Sequence, residues 1–132
     1  FTVTSGKLCP AGWHVPTDDE FNTLEISLGM SSDQTGVWGW RGTDHGNKMK
    51  NQSGWDENGN GSNSSGFSAL PGGYRFGGDG TFLMEKTITY WWCSSEHDAD
   101  RGWYRRLDSA SDQVYRASTS KKGGKYVRCV KD

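Results

Sequence analysis

Residues 89–132 read TYWWCSSEHDADRGWYRRLDSASDQVYRASTSKKGGKYVRCVKD, and this stretch decides the fold. It opens on a dense aromatic patch and closes on a short apolar segment carrying Cys129. Between them the residues are mostly polar, and only a few apolar anchors recur. Ile88, Tyr90 and Trp92 alternate; Trp103, Arg105 and Leu107 share one face while Tyr104, Arg106 and Asp108 share the other; Val114 and Arg116 oppose Gln113, Tyr115 and Ala117. A period of two is the signature of strands with two unlike faces. A last strand over about 125–130 puts Val127 and Cys129 on one face.

Upstream, the sequence reads as punctuated short elements. Residues 1–3 suit a short edge strand, and 13–15 form another brief segment stopped by Pro16. Thr17 with Glu20 three positions on is a capping box, Asp18 and Asp19 complement the helix dipole, and Gly29 sits where a helix ends. With Phe21, Leu24 and Leu28 at helical spacing, a helix is predicted over 17–28. A second short helix fits 44–52 around Met49, weakened by Gly46. Residues 67–75 enter a strand, break at Pro71-Gly72-Gly73 and resume at Tyr74; a glycine-rich turn at 77–80 precedes strand-like 81–84 and 87–94. One clear helix followed by four or five short strands predicts an α+β domain around an antiparallel sheet.

Composition agrees with one small core. The chain has 132 residues, 32% hydrophobic, with a mean hydropathy of −0.84, which is too few aliphatics for a helical bundle. Seven Trp, five Tyr and five Phe supply the buried area instead, and 19 Gly point to many turns. Net charge is −1, split as −4 over residues 1–93 and +3 over 94–132 with signs interleaved, so nothing suggests nucleic acid. No apolar run is long enough to span a bilayer. The start at Phe1 without a signal peptide is read as a mature or excised piece, any anchor or export signal lying upstream.

Cys9, Cys93 and Cys129 have no CxxC spacing, and His14, His45 and His97 are scattered, which argues against zinc. In an oxidising compartment a Cys9–Cys129 disulfide would tie the two ends together and leave Cys93 free. Residues 56–61 read D-x-N-x-N-G, the first half of a calcium loop, but the twelfth position is Phe67 where a bidentate Glu is required. That excludes a helix-loop-helix calcium site; Ca²⁺ held by other ligands of this loop is a weak alternative to a plain Asn/Gly turn, and no cofactor is expected.

CPAGWHVPTDDEFNTL, GFSALPGGYR, YWWCSSE, RGWYRRL and VRCVKD, in that order from Cys9 to Asp132, resemble the Fibrobacter succinogenes major paralogous domain, found in surface and lipid-anchored bacterial proteins. The resemblance implies a C-type lectin-like fold in the version shared with formylglycine-generating enzymes, its first and last segments meeting, and a Cys9–Cys129 link fits that arrangement. Cys93 and Lys125-Tyr126 depart from the family's pattern. The C-terminal stretch also resembles the variable proteins of diversity-generating retroelements. Relatives carry an asparagine-rich run there; residues 94–132 hold no Asn, and Arg106, Asp108, Ser109, Ala110, Ser111, Tyr115, Ala117, Ser118, Thr119, Ser120 and Gly123 are each reachable from an AAC codon by changing adenines alone.

These features predict a single domain over 1–132, non-enzymatic, displaying a ligand-binding segment over about 94–130 on a bacterial cell surface or adhesin. The expected ligand-facing residues are His97, Asp98, Asp100, Arg101, Tyr104, Arg106, Asp108, Ser109, Ser111, Gln113, Tyr115, Ser118 and Ser120. Their mixed charge and amphipathic tyrosines and arginines suit a binding face. The expected partner is a protein or glycan on another cell, phage or host surface, met by a monomeric domain of a larger protein that does not insert into membrane. The rival is a carbohydrate module stacking sugars on Trp38, Trp40 or Trp103; the EPN or QPD and WND signatures of calcium-dependent lectins are absent, and core filling accounts for most of the tryptophans. Formylglycine-type oxidase chemistry is disfavoured because Cys93 would be the only thiol, and pairs such as Asp98/Asp100 and Asp18/Asp19 lack a matched base.

Overall fold

The computed structural model describes residues 2–132 and has an α+β architecture. A 3₁₀ turn at Thr2–Ser5 leads to β1 (Trp13–His14), α1 (Asp18–Ser27), α2 (Ser32–Thr35), β2 (Gly39–Arg41) and α3 (His45–Met49). A long loop region then reaches β3 (Tyr74–Arg75) and β4 (Phe82–Leu83), followed by the three long strands β5 (Ile88–Glu96), β6 (Arg101–Asp108) and β7 (Ser111–Ser120), and finally β8 (Val130–Lys131). The main sheet has the order β2-β7-β6-β5, all antiparallel; β1 pairs with β8, and β3 with β4.

The ends of the chain close on each other. Trp13 lies opposite Lys131 and His14 opposite Val130, and Cys9 is bonded to Cys129 across 120 residues of sequence. The His14 ring bridges Glu20 at the start of α1 and the Asp132 carboxylate. Thr17 caps α1, accepting from the Glu20 amide at 3.1 Å, while the Glu20 carboxylate accepts from the Thr17 amide at 2.8 Å.

One face of the main sheet packs on α1 and α3. Phe21, Met49, Trp55, Phe67, Trp91, Leu107 and Val114 form its apolar core. The short helix expected over 44–52 is α3, shorter than that span, and Met49 is fully buried in it, with His45 and Gly46 also buried. Gly46, which weakens that helix, is required by it: a Cβ there would sit 2.3 Å from the Gln113 carbonyl oxygen, so α3 lies directly on the backbone of β7. A smaller cluster of Val3, Val15 and Trp92, joined by Val127, seals the disulfide end.

Charge is built into that core. Asp18, Phe21 and Glu25 lie on one stripe of α1, and Arg105 of β6 docks along it, fully buried. Its guanidinium donates to Glu25 at 2.7 Å, to the Asp18 carboxylate at 2.6 Å, to the Asp18 carbonyl and to Asn22, and it lies over the Phe21 ring at 5.3 Å. Arg41 of β2 pairs with Glu25 and Arg116 of β7 with Asp18, each at a shortest distance of 2.6–2.7 Å. Burial opposes ionisation of Asp18, but the Arg116 hydrogen bonds and the Arg105 charge outweigh it and hold its carboxyl below the ordinary aspartate value. Three strands are thereby clamped to one helix.

Two expected elements differ. Residues 2–5 are a 3₁₀ turn, closed by the Ser5 hydroxyl donating to the Thr2 carbonyl, which turns Val3 inward; Phe1, the remainder of the expected edge strand, lies outside the described residues. The last strand is confined to Val130–Lys131. The segment before it runs beside β5, with Tyr126 donating to the Tyr90 carbonyl and accepting from the Trp92 amide, before Cys129 is drawn off to Cys9.

Candidate functional site

The register of the main sheet aligns four side chains in one row on the face away from α1. Tyr90 lies opposite Arg106, Arg106 opposite Tyr115, and Tyr115 opposite Trp40. The alternation that sends Arg105 into the core sends Arg106 out of it. Its guanidinium lies 5.4 Å from the Trp40 ring, 5.7 Å from Tyr115 and 5.8 Å from Tyr90, all within cation–π reach. Asp108, two residues on and therefore on the same face, pairs with it. The next row continues the pattern: Tyr104 packs 5.4 Å from Tyr90 and stacks 6.2 Å from Tyr115.

Past the β5 edge the row opens into a cleft of about 570 Å³, lined by Tyr74, Tyr90, Tyr104, Arg75, Lys122 and Lys125, with the Ser120 and Thr119 side of β7 at its rim. Lys125 lies within 4.3 Å of the Trp92 ring and 5.2 Å of both Tyr90 and Tyr104. Burial among these rings lowers its pKa to about 8. Burial also raises the Tyr104 hydroxyl to about 12 and pushes the Tyr90 hydroxyl up, so these two stay neutral donors at physiological pH.

The expected ligand-facing residues fall into separate places. Tyr104, Arg106 and Tyr115 are together on the open face, and Ser120 is at the cleft. His97, Asp98 and Asp100 belong to the β5–β6 loop and Arg101 opens β6; the Asp98 carboxylate accepts from the amides of Asp100 and Arg101 and so shapes the turn. His97 there packs against Trp38 and Trp103 at 5.4 and 5.0 Å. Three residues are corrected outright. Ser109 is buried against Gly59, Ser118 is buried on the helix-facing side opposite Trp103, and Asp108 is buried, holding Arg106 and the Ala110 amide. Ser111 and Gln113 are only partly covered but occupied: Ser111 accepts from the Gln113 amide, and the Gln113 side chain donates to the Gly42 carbonyl at 2.7 Å.

Tyr74, Tyr90, Arg75 and Lys125 were not among the expected site residues, and Trp40 was expected only as a sugar-stacking ring in the rival reading. Tyr90 was visible in the Ile88-Tyr90-Trp92 alternation, but Trp40 sits in a three-residue strand between glycines, Arg75 in the two-residue β3 and Lys125 in the segment after β7, and only tertiary packing brings the last two to the cleft. The 56–61 loop is a tight turn, its Asn60 side chain accepting from the Trp55 amide and its Gly59 amide donating to the Asp56 carbonyl. No cluster of metal-ligating side chains occurs among the described residues.

Fold and site together define a disulfide-closed α+β domain with one packed sheet face and one face bearing an aromatic and cationic ladder. The chain belongs to the Fibrobacter succinogenes major domain family, whose model matches residues 1–131. No curated protein and no solved structure matches the chain.

Proposed function

We propose that this is a non-enzymatic, C-type lectin-like display domain of an exported bacterial surface protein or adhesin, which binds a protein or glycan partner through the open face of β2, β7, β6 and β5. The observation that carries the reading is the row Trp40–Tyr115–Arg106–Tyr90. Large, stiff amphipathic side chains and an arginine are the residues that binding hot spots favour, and here they share a surface that the domain's own core does not use. The row is separate from the main scaffold, because the clamp of Arg41, Arg105 and Arg116 lies on the opposite side of the sheet; the small Val3, Val15 and Trp92 cluster covers the other end of this face, against Tyr104. Diversification of the kind produced by a retroelement suits Arg106, Tyr115, Thr119 and Ser120 on this face and at the cleft. It suits buried Ser109 and Ser118 poorly. Burial drives the Cys93 thiol up to about 12, which supports a structural cysteine rather than an oxidase nucleophile.

The test is a Trp40→Ala/Arg106→Ala/Tyr115→Ala variant, compared with the parent domain on a glycan array and against a displayed peptide library. The expected result is selective binding by the parent, loss of that selection in the variant and retained cooperative unfolding. Selection that survives the triple substitution at equal strength would refute the open face as the site.

A further inference from the structure

The cleft beside β5 is lined by cations and by no carboxylate. Arg75 of β3 and Lys122 and Lys125 of the segment after β7 converge on it. None of these three cations makes an ion pair or donates a side-chain hydrogen bond among the described residues; Lys7, Lys86, Arg101, Arg128 and Lys131 also lack a carboxylate partner, but none of those five lines this cleft, and what distinguishes it is three such cations in one concavity. Asp79, in the turn next to Arg75, is occupied by the amide and hydroxyl of Thr81. Three unpaired cations in one concavity of a chain with net charge −1 call for an anion.

The walls narrow the class. Tyr74, Tyr90 and Tyr104 form a run of rings with centroids 5.1 and 5.4 Å apart, inclined to one another by 68° and 58°, an aromatic wall on which a single ring can meet the C–H face of a sugar with phenolic hydroxyls beside it. The volume of about 570 Å³ is within the usual range of roughly 300–1,000 Å³ for small-ligand sites. An extended peptide would seek a free strand edge, but the edge of β5 at this point is taken by Tyr126, bonded to the Tyr90 carbonyl and the Trp92 amide.

We propose that this cleft binds an acidic saccharide, with the sugar's carboxylate at the Lys125, Arg75 and Lys122 cations and its ring on the tyrosine wall. The proposal rests on the binding reading above and names the chemistry of its ligand. Lys125 gives it a pH signature. The groups facing that ammonium are Tyr90, Tyr104 and Trp92 of the sheet, Tyr74 and Arg75 of β3 and Lys122 of its own loop, with the Arg106–Asp108 pair beyond Tyr90. A uronate is ionised throughout the neutral range, so affinity falls as pH rises through about 8 and Lys125 loses its proton.

The experiment is an array of uronate and sialate oligosaccharides, each beside its methyl ester, with an acidic peptide as a further arm and calorimetry on the hits. The expected result is binding of one or more acidic oligosaccharides and not of their esters, weakened by salt. Lys125→Met should reduce affinity by roughly tenfold or more, as loss of a charged hydrogen bond does. Should Lys125→Met fold poorly, Arg75→Gln/Lys122→Gln alters only residues outside both core clusters and must also weaken binding. Binding of no acidic oligosaccharide, equal binding of the esters, preference for the acidic peptide, or unchanged affinity in both variants overturns the proposal. If the parent still selects partners that the Trp40→Ala/Arg106→Ala/Tyr115→Ala variant loses, the open-face reading survives that failure.

Discussion

Arg105 and Arg106 are consecutive in sequence and opposite in consequence. Replacing Arg105 by Met keeps the length and much of the volume of the side chain but removes donors to Glu25, the Asp18 carboxylate, the Asp18 carbonyl and Asn22. Two guanidiniums, Arg41 and Arg116, remain for the two carboxylates, so no net charge is stranded. The loss comes from buried acceptors left unsatisfied and from separating the network into two unconnected pairs. That places the cost at the lower end of the range for a broken buried pair, about 3 kcal/mol. At about 4 °C per kcal/mol for a domain of this size, Tm falls by roughly 12 °C. Glu25→Gln is worse, because three guanidiniums then share one carboxylate, and about 4–5 kcal/mol is expected. Arg106→Met loses a mostly covered ion pair and ring contacts, but leaves Asp108 its Ala110 amide, so about 1–2 kcal/mol in sum is expected. Differential scanning calorimetry with urea melts measures all three. The order Glu25→Gln, Arg105→Met, Arg106→Met, from most to least destabilising, is the expected result. An Arg105→Met variant no less stable than Arg106→Met would refute the clamp.

Three more outcomes follow from the same contacts. Asp18 is held below its ordinary pKa of 3.8, so its contribution is present above that pH and disappears as pH falls through the lower folded value; urea melts from about pH 5 to pH 2 should show stability lost in Arg116→Met at higher pH than in the parent. His14 gains protons more readily because Asp132 and Glu20 accept from its ring, so its pKa lies above 6.5. The stability this link provides is complete below 6.5 and fades as pH rises through the folded pKa; NMR titration should place the midpoint above 6.5, and Asp132→Asn should lower it. Cys9→Ser/Cys129→Ser opens a loop of 120 residues and should cost about 2–5 kcal/mol, read as a lower urea midpoint, while Cys93→Ala leaves the disulfide in place.

Much of the scaffold was legible because its signals are local. Thr17 and Glu20 announce the start of α1, and the period of two over 103–108 assigns each side chain of β6 to its face. The Cys9–Cys129 link was legible from the position of the two cysteines at the ends of the chain. The clamp was not. Arg105 stood on the predicted inner face, yet an arginine is by default a surface residue, and Asp18 is equally explained as a helix-dipole partner. Their burial depends on each other and on Arg116, 98 residues from Asp18. The row Trp40–Tyr115–Arg106–Tyr90 was hidden for a different reason: alternation fixes which face a residue takes, while the register between strands decides its neighbours. Ser109 and Ser118 were misplaced because small hydroxyl residues suit a turn, a surface or a tight interior equally well.

The most direct test of the open face is chemical-shift mapping of the domain titrated with a partner recovered from the array or library. Perturbed amides should concentrate in Trp40, Tyr90, Tyr104, Arg106 and Tyr115 and in the cleft around Lys125, with α1 unmoved. Perturbation centred on the Trp38, His97 and Trp103 corner, or on α1 itself, would contradict the assignment.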